Sequence, residues 1–304
     1  MLIHSLHINT SPFIYTAFVT FSAILETEEM NSTEASTNST TFEHLLWSLS
    51  IVDMFVCSSN FLFGFPVHSY IIWLIVTGKG SDVASESFNI NLFICELWIS
   101  FSCLLSVLSN FVQLMALPSF LTGLMVAGRP LFQCLICVER YLAVVHPVSF
   151  LKFKPLRYRV ICCTVVWIIT LASCLCCMFT SSLNQFIWFM WLFPIQFFLF
   201  LSIQLFCLVA VLRALKQSGP GERGRERREE NHMKRRVFYL ILIITVCMCI
   251  SFVPYILAGV FNIFQKHNAN TYNTFASVCF IMGGFVHPVL FLHRSGKLPC
   301  VCSS

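Results

Sequence analysis

From about residue 50 onward, long apolar runs alternate with short polar connectors. Seven of these runs, 52–77, 88–112, 114–143, 160–182, 186–212, 237–263 and 272–292, match the length a membrane-crossing helix needs, about 20 residues. Pro66, Pro130, Pro194, Pro254 and Pro288 fall inside the runs. Membrane helices tolerate such breaks because neighbouring helices resatisfy the freed backbone groups. The pattern predicts an all-α membrane protein, a seven-transmembrane helix bundle. Two residues break the pattern most sharply. Glu96 interrupts the stretch from Phe88 to Val112, and Arg129 the stretch from Leu114 to Val138. An ionisable group in hydrocarbon is expensive and usually faces a bundle interior with a partner.

Composition supports the membrane reading. Of 304 residues, 57% are hydrophobic, 32 are Phe and only 11% are charged, against about 25% charged in a soluble domain. No window is left for a catalytic domain, and no nucleophile–base set or metal spacing occurs. The sequence therefore predicts neither an enzyme nor a cofactor or metal, and no nucleic-acid partner.

The net charge of +5 matters less than where the charge lies. No Lys or Arg precedes Lys79; Lys152, Lys154, Arg157 and Arg159 lie between runs three and four; nine basic residues lie between Arg213 and Arg236; Arg294 and Lys297 follow run seven. The other connectors hold only Lys266. Basic residues in alternate connectors place the N-terminus outside by the positive-inside rule. The chain then divides into an extracellular segment, 1–47, a transmembrane domain, 48–293, with its third cytoplasmic loop at 214–236, and a short cytoplasmic tail, 294–304. The N-terminal segment carries glycosylation sequons at Asn9, Asn31 and Asn38. Its apolar run at 11–25 reads either as a cleaved signal without the usual basic start or as an uncleaved extension. Most of the sixteen cysteines lie within runs, where Cys behaves as a small apolar residue. Cys300 and Cys302 follow the last run and are candidates for S-acylation, the alternative being an unmodified tail.

A set of motifs then falls in order. Val138-Glu139-Arg140-Tyr141-Leu142-Ala143-Val144-Val145-His146-Pro147 resembles the E/DRY segment that ends the third helix of rhodopsin-like (class A) G-protein-coupled receptors. Asn91-Leu92-Phe93-Ile94-Cys95-Glu96 resembles their helix-two NLxxxD, and Trp167 their helix-four tryptophan. Phe252-Val253-Pro254-Tyr255 resembles WxPY, and His287-Pro288-Val289-Leu290-Phe291 resembles NPxxY. The resemblance covers about residues 50 to 300 and is nearest to divergent, peptide- and nucleotide-receptor-like fish sequences. It implies a receptor that transmits an unknown extracellular ligand's signal to a heterotrimeric G protein from the plasma membrane. Glu139, Arg140 and Tyr141 would form the G-protein switch, with Arg140 snorkelling at the helix end and pairing with Glu139. Phe252, Pro254, Tyr255, His287, Pro288 and Phe291 would form the hinges and packing switches of helices six and seven. For Arg140 the competing reading is a positive-inside anchor; for Phe252 it is plain core packing.

The departures from the family pattern are as informative. His68 stands where helix one should carry Asn, Glu96 where the resemblance implies the sodium-binding Asp, His287 where NPxxY has Asn, and Phe291 where it has Tyr. Arg129 lies eleven residues before Arg140, where the family usually has a small polar sodium ligand. The resemblance therefore predicts a buried polar core of His68, Glu96, Arg129 and His287, with a fixed cation in place of a hydrated sodium ion. Glu96 and Arg129 would form a salt bridge, with the histidines, hydroxyls and backbone carbonyls taking the remaining guanidinium donors. The alternative turns Arg129 to lipid and leaves Glu96 protonated. The family's helix-three disulfide is absent, since Met115 stands at its position and no Cys occurs from 104 to 133. The third run also lacks an outer carboxylate: there is no acid from Phe111 to Gly128. An apolar ligand cavity is expected near Phe186, Trp188, Trp191, Tyr255 and Phe261, although an interfacial belt suits Trp188 and Trp191 better, and the cavity suits Tyr255 better. These losses also leave open a receptor-shaped protein without G-protein signalling: a scaffold, decoy or degenerate paralogue.

Overall fold

The computed structural model describes residues 51–77, 86–109, 116–148, 150, 156–182, 186–217, 226–264 and 269–294. Among them, seven helices are long and apolar enough to cross a membrane. They are α1 (Ile51–Thr77), α2 (Ser87–Ser109), α3 (Ala116–Gly123, Leu124–Gly128 and Arg129–Val145), α4 (Leu156–Ser182), α5 (Phe186–Gln217), α6 (Glu226–Phe264) and α7 (Ala269–Gly284 and Val286–Arg294). The described spans follow those expected, with α2 described to Ser109 and α3 from Ala116. In α5 and α6 the helix runs past the apolar stretch into the basic segment.

The helices pack in a ring of neighbours, with α1 on α2, α4 on α5, α5 on α6, α6 on α7 and the end of α7 back on α1. Helix α3 stands inside this ring, against α2, α4, α5 and α6. Its position fits its sequence: Phe132, Cys137, Ala127 and Arg129 are all buried. The exposed apolar side chains, including Phe55, Trp73, Ile168, Phe198 and Phe206, lie on outward faces of the ring. A water-soluble fold would bury them; in a bilayer they meet lipid. Tight approach of α3 to α4 depends on Gly123, where a Cβ would lie 2.4 Å from the Cys174 backbone. Small residues at such crossings are the usual means of membrane helix packing.

Three helices change their winding just before a proline. In α3 the π turn Leu124–Gly128 precedes Pro130, and the Arg129 N–H reaches back to the Leu124 carbonyl. In α1 the π turn Asn60–Gly64 precedes Pro66. In α7 the helix breaks at Phe285, ahead of Pro288, and the Phe285 N–H turns to the Met282 carbonyl at 3.2 Å. Proline has no N–H, and its ring collides with the carbonyl four residues earlier. A wider or broken turn relieves that clash. By contrast, α5 and α6 run through Pro194 and Pro254 as continuous helices.

Candidate functional site

The centre of the bundle holds a closed ion pair. Arg129, the first residue after the α3 π turn, sends Nε to Glu96 Oε1 at 2.5 Å and Nη2 to Glu96 Oε2 at 2.6 Å. Each side chain is 2% exposed, so this is a bidentate pair sealed from solvent, the geometry that suits a guanidinium best. The rest of the cation is satisfied by α7. Nη1 donates to the Phe280 carbonyl at 2.7 Å, and the guanidinium carbon lies 3.8 Å from the centre of the Phe280 ring. Phe280 thus offers a backbone acceptor and a π face to one charge. Gly284 makes room for the pair: a Cβ there would lie 3.0 Å from Arg129 Nη2 and 3.2 Å from Glu96 Oε2. One arginine therefore ties α2, α3 and α7 together.

His68 and His287 are buried close to this pair, at 2% and 6% exposure. The expectation that they take guanidinium donors is corrected by the geometry. His287 Nε2 meets Gln133 Nε2 at 2.8 Å, and the His68 ring packs beside Phe93 and Phe285. The Phe280 carbonyl takes a guanidinium donor instead. Gln133 was not singled out from the sequence. Its signal was its place four residues after Arg129, one helical turn along the same face.

The end of the bundle where α1 begins is called here the first face, and the opposite end the second. At the second face, Glu139 Oε1 accepts from Arg159 Nη2 at 2.6 Å, joining α3 to the start of α4. This ion pair reaches from α3 across to the next helix. Tyr141 lies half-buried, its hydroxyl 3.1 Å from His146 Nε2 and its ring edge-on to Phe206 of α5. Trp167 of α4 donates from Nε1 to Asn91 Oδ1 at 2.8 Å, fixing α4 to α2.

The WxPY-like segment faces the interior. Phe252 packs against Phe193, Phe197 and Phe280, and Tyr255 against Phe193 and Phe280. The Tyr255 hydroxyl lies 3.1 Å from Ser277 Oγ on α7. Phe280 therefore touches both the aromatic cluster and the ion pair. Pro288 is buried, and Phe291 packs edge-on to Phe93 of α2. The side chains of Phe186, Trp188, Trp191 and Phe261 lie outside the described residues, as do Asn9, Asn31, Asn38, Cys300 and Cys302. All cysteines among the described residues are free thiols, and no cluster of three or more metal-ligating side chains occurs there.

Comparison with known proteins agrees with this architecture. Residues 68–188 match the family model of the 7 transmembrane receptor (rhodopsin family). Hydroxycarboxylic acid receptor 2 of Rattus norvegicus is 24% identical over 280 residues, covering 80% of this chain and 75% of that protein. Chemokine XC receptor 1 of Homo sapiens is 29% identical over 213 residues, 64% of this chain and 60% of that one. The uracil nucleotide/cysteinyl leukotriene receptor of Rattus norvegicus is 25% identical over 224 residues, 64% of this chain and 62% of that one.

Proposed function

The chain belongs to the rhodopsin family of seven-transmembrane receptors, multi-pass proteins of the plasma membrane, and we propose that it transmits an extracellular ligand's signal to a heterotrimeric G protein. The observation that carries this reading is the second face. Glu139-Arg140-Tyr141 ends α3 there, and Arg213, Lys216, Arg235 and Arg236 stand exposed where α5 and α6 leave the apolar stretch. In this reading the second face is cytoplasmic, Arg140 is the transducer contact, and the basic helix ends complete the surface. The same basic residues also favour anionic lipid, by about 1 kcal/mol each near the membrane surface; the two roles are compatible. Phe252, Pro254, Tyr255, His287, Pro288 and Phe291 form the path by which a ligand at the first face reaches it. The break at Phe285 gives that path a hinge in α7, and the aromatic cluster around Phe280 links the hinge to α6.

Replacing Arg140 with Ala, with surface expression retained, should abolish G-protein nucleotide exchange in reconstituted membranes. Unchanged exchange would reject the role assigned to Arg140. A second reading has its own observation: Arg129 fixes α2, α3 and α7 to one another through charge-assisted hydrogen bonds. A bundle so held suits a receptor-shaped scaffold or decoy. The wild-type exchange assay separates the two, because a scaffold shows no exchange above empty membranes under any ligand condition.

A further inference from the structure

Asp53 is a charged side chain within α1 that the switch and the central ion pair do not use. It sits near the start of α1, where Oδ2 accepts from Thr274 Oγ1 of α7 at 3.0 Å. Its other oxygen, Oδ1, is buried and has no hydrogen-bond partner among the described residues. Close by, in the same end of the bundle, Tyr255 of α6 and Ser277 of α7 form their hydroxyl pair. The carboxylate is thus held in place by one oxygen and presents the other. Desolvating a carboxylate oxygen without a donor is costly, and a charged donor is its strongest partner.

The sequence leading into α1 is acidic. The chain up to and including Asp53 holds six acidic residues and no Lys or Arg. The connectors at that face, 110–115, 183–185 and 265–268, add only Lys266. Arg129, the basic residue inside the described bundle nearest to this end, is held by Glu96. The hydroxycarboxylic acid receptors that this chain resembles are named for acids. Here, the first-face half of the described helices offers no Lys or Arg to receive a carboxylate.

We infer that Asp53 anchors a cationic group, an ammonium or guanidinium, of the extracellular ligand, with Thr274 as the residue that positions the carboxylate. The inference rests on the receptor reading for which face meets the ligand. The acidic sequence leading into α1 concentrates cations before they bind. The cation pairs with Asp53 Oδ1, while the apolar part of the ligand packs toward Tyr255.

The test uses the full chain in lipid nanodiscs without G protein, so that failure of signalling does not affect it. Three probes matched in ring and length are titrated: 2-phenylethylamine, 2-phenylethylguanidine and 3-phenylpropanoate. The two cations should bind saturably and at least about tenfold more tightly than the carboxylate, the factor one charge-assisted hydrogen bond supplies. Asp53→Asn should erase that preference and Asp53→Glu keep most of it. Preference for 3-phenylpropanoate, no saturable binding of either cation, or an unchanged preference in Asp53→Asn would each overturn the assignment. If Asp53→Asn does not fold, the wild-type ranking of the probes still decides, and Thr274→Val, which keeps the acid and removes its positioning bond, should weaken the cations alone. G-protein exchange, measured separately, reports on the receptor reading and not on Asp53.

Discussion

Among the described residues, Arg129–Glu96 and Glu139–Arg159 are two buried Arg–Glu pairs that tie α3 to its neighbours, and they differ in what surrounds them. Arg129–Glu96 lies in the middle of the bundle, 2% exposed on both sides, bidentate, with its remaining charge on the carbonyl and ring of Phe280. Glu139–Arg159 lies where α3 ends and α4 begins, at 7% and 5% exposure, with the Phe88 ring 5.7 Å from the guanidinium. The chemistry is the same, but the escape routes are not. A charge orphaned at a helix end can extend to the headgroup region along its aliphatic stem. A charge orphaned beside Gly284 lies in the middle of the bundle, away from either helix end. Depth in the bundle, more than the number of hydrogen bonds, decides what each pair does.

The largest test of that contrast is removal of one partner. Arg129→Met leaves Glu96 without its cation and should lower the unfolding free energy by about 3–5 kcal/mol, the cost of an uncompensated buried charge. The double replacement Glu96→Gln with Arg129→Met should recover most of the loss, because apolar or neutral packing can replace a buried pair at little cost. Thermal unfolding in detergent and surface delivery in cells both measure this. A double variant no better than Arg129→Met would break the comparison.

At the second face the effect should be smaller. Glu139→Gln should cost clearly less than Arg129→Met, because the orphaned Arg159 can extend along its aliphatic stem toward the headgroup region. The same unfolding assay checks it. A loss as large as that of Arg129→Met would show that depth does not distinguish the two sites.

The smallest expected effect is a shift of nothing. A guanidinium bonded to Glu96 occupies the charge that a sodium ion would otherwise satisfy. Exchanging sodium for N-methylglucamine at constant ionic strength should leave the unfolding midpoint unchanged. A bound ion at 100 times its Kd would instead add about 2.7 kcal/mol. A sodium-dependent rise in the wild type would sink the fixed-cation account of the core.

Much of the central site was legible because its residues are improbable in hydrocarbon. Glu96 and Arg129 announce themselves in apolar runs, and the register of the resemblance brings them level with His68 and His287. What completes the site was hidden for a physical reason. Phe280 contributes a backbone carbonyl, which every residue has, and a ring, which 32 residues share. Arg159 looked like one more basic residue after a loop, and its pairing with Glu139 depends on how α4 packs. Asp53 and Thr274 are separated by 221 positions and meet only because the ring of helices closes α7 onto α1.

By itself, the sequence determined that seven helices cross a membrane, because unbroken apolar runs of that length have no other stable solvent. It also determined that an acid and a base must meet within them, because neither can remain alone there. Only the tertiary structure decided how they meet. The π turn ahead of Pro130 and the break ahead of Pro288 set the rotation and height at which Arg129 reaches Glu96 and Phe280. Local sequence announces that a proline will disturb a helix; the neighbours packed against that helix settle which way the backbone yields.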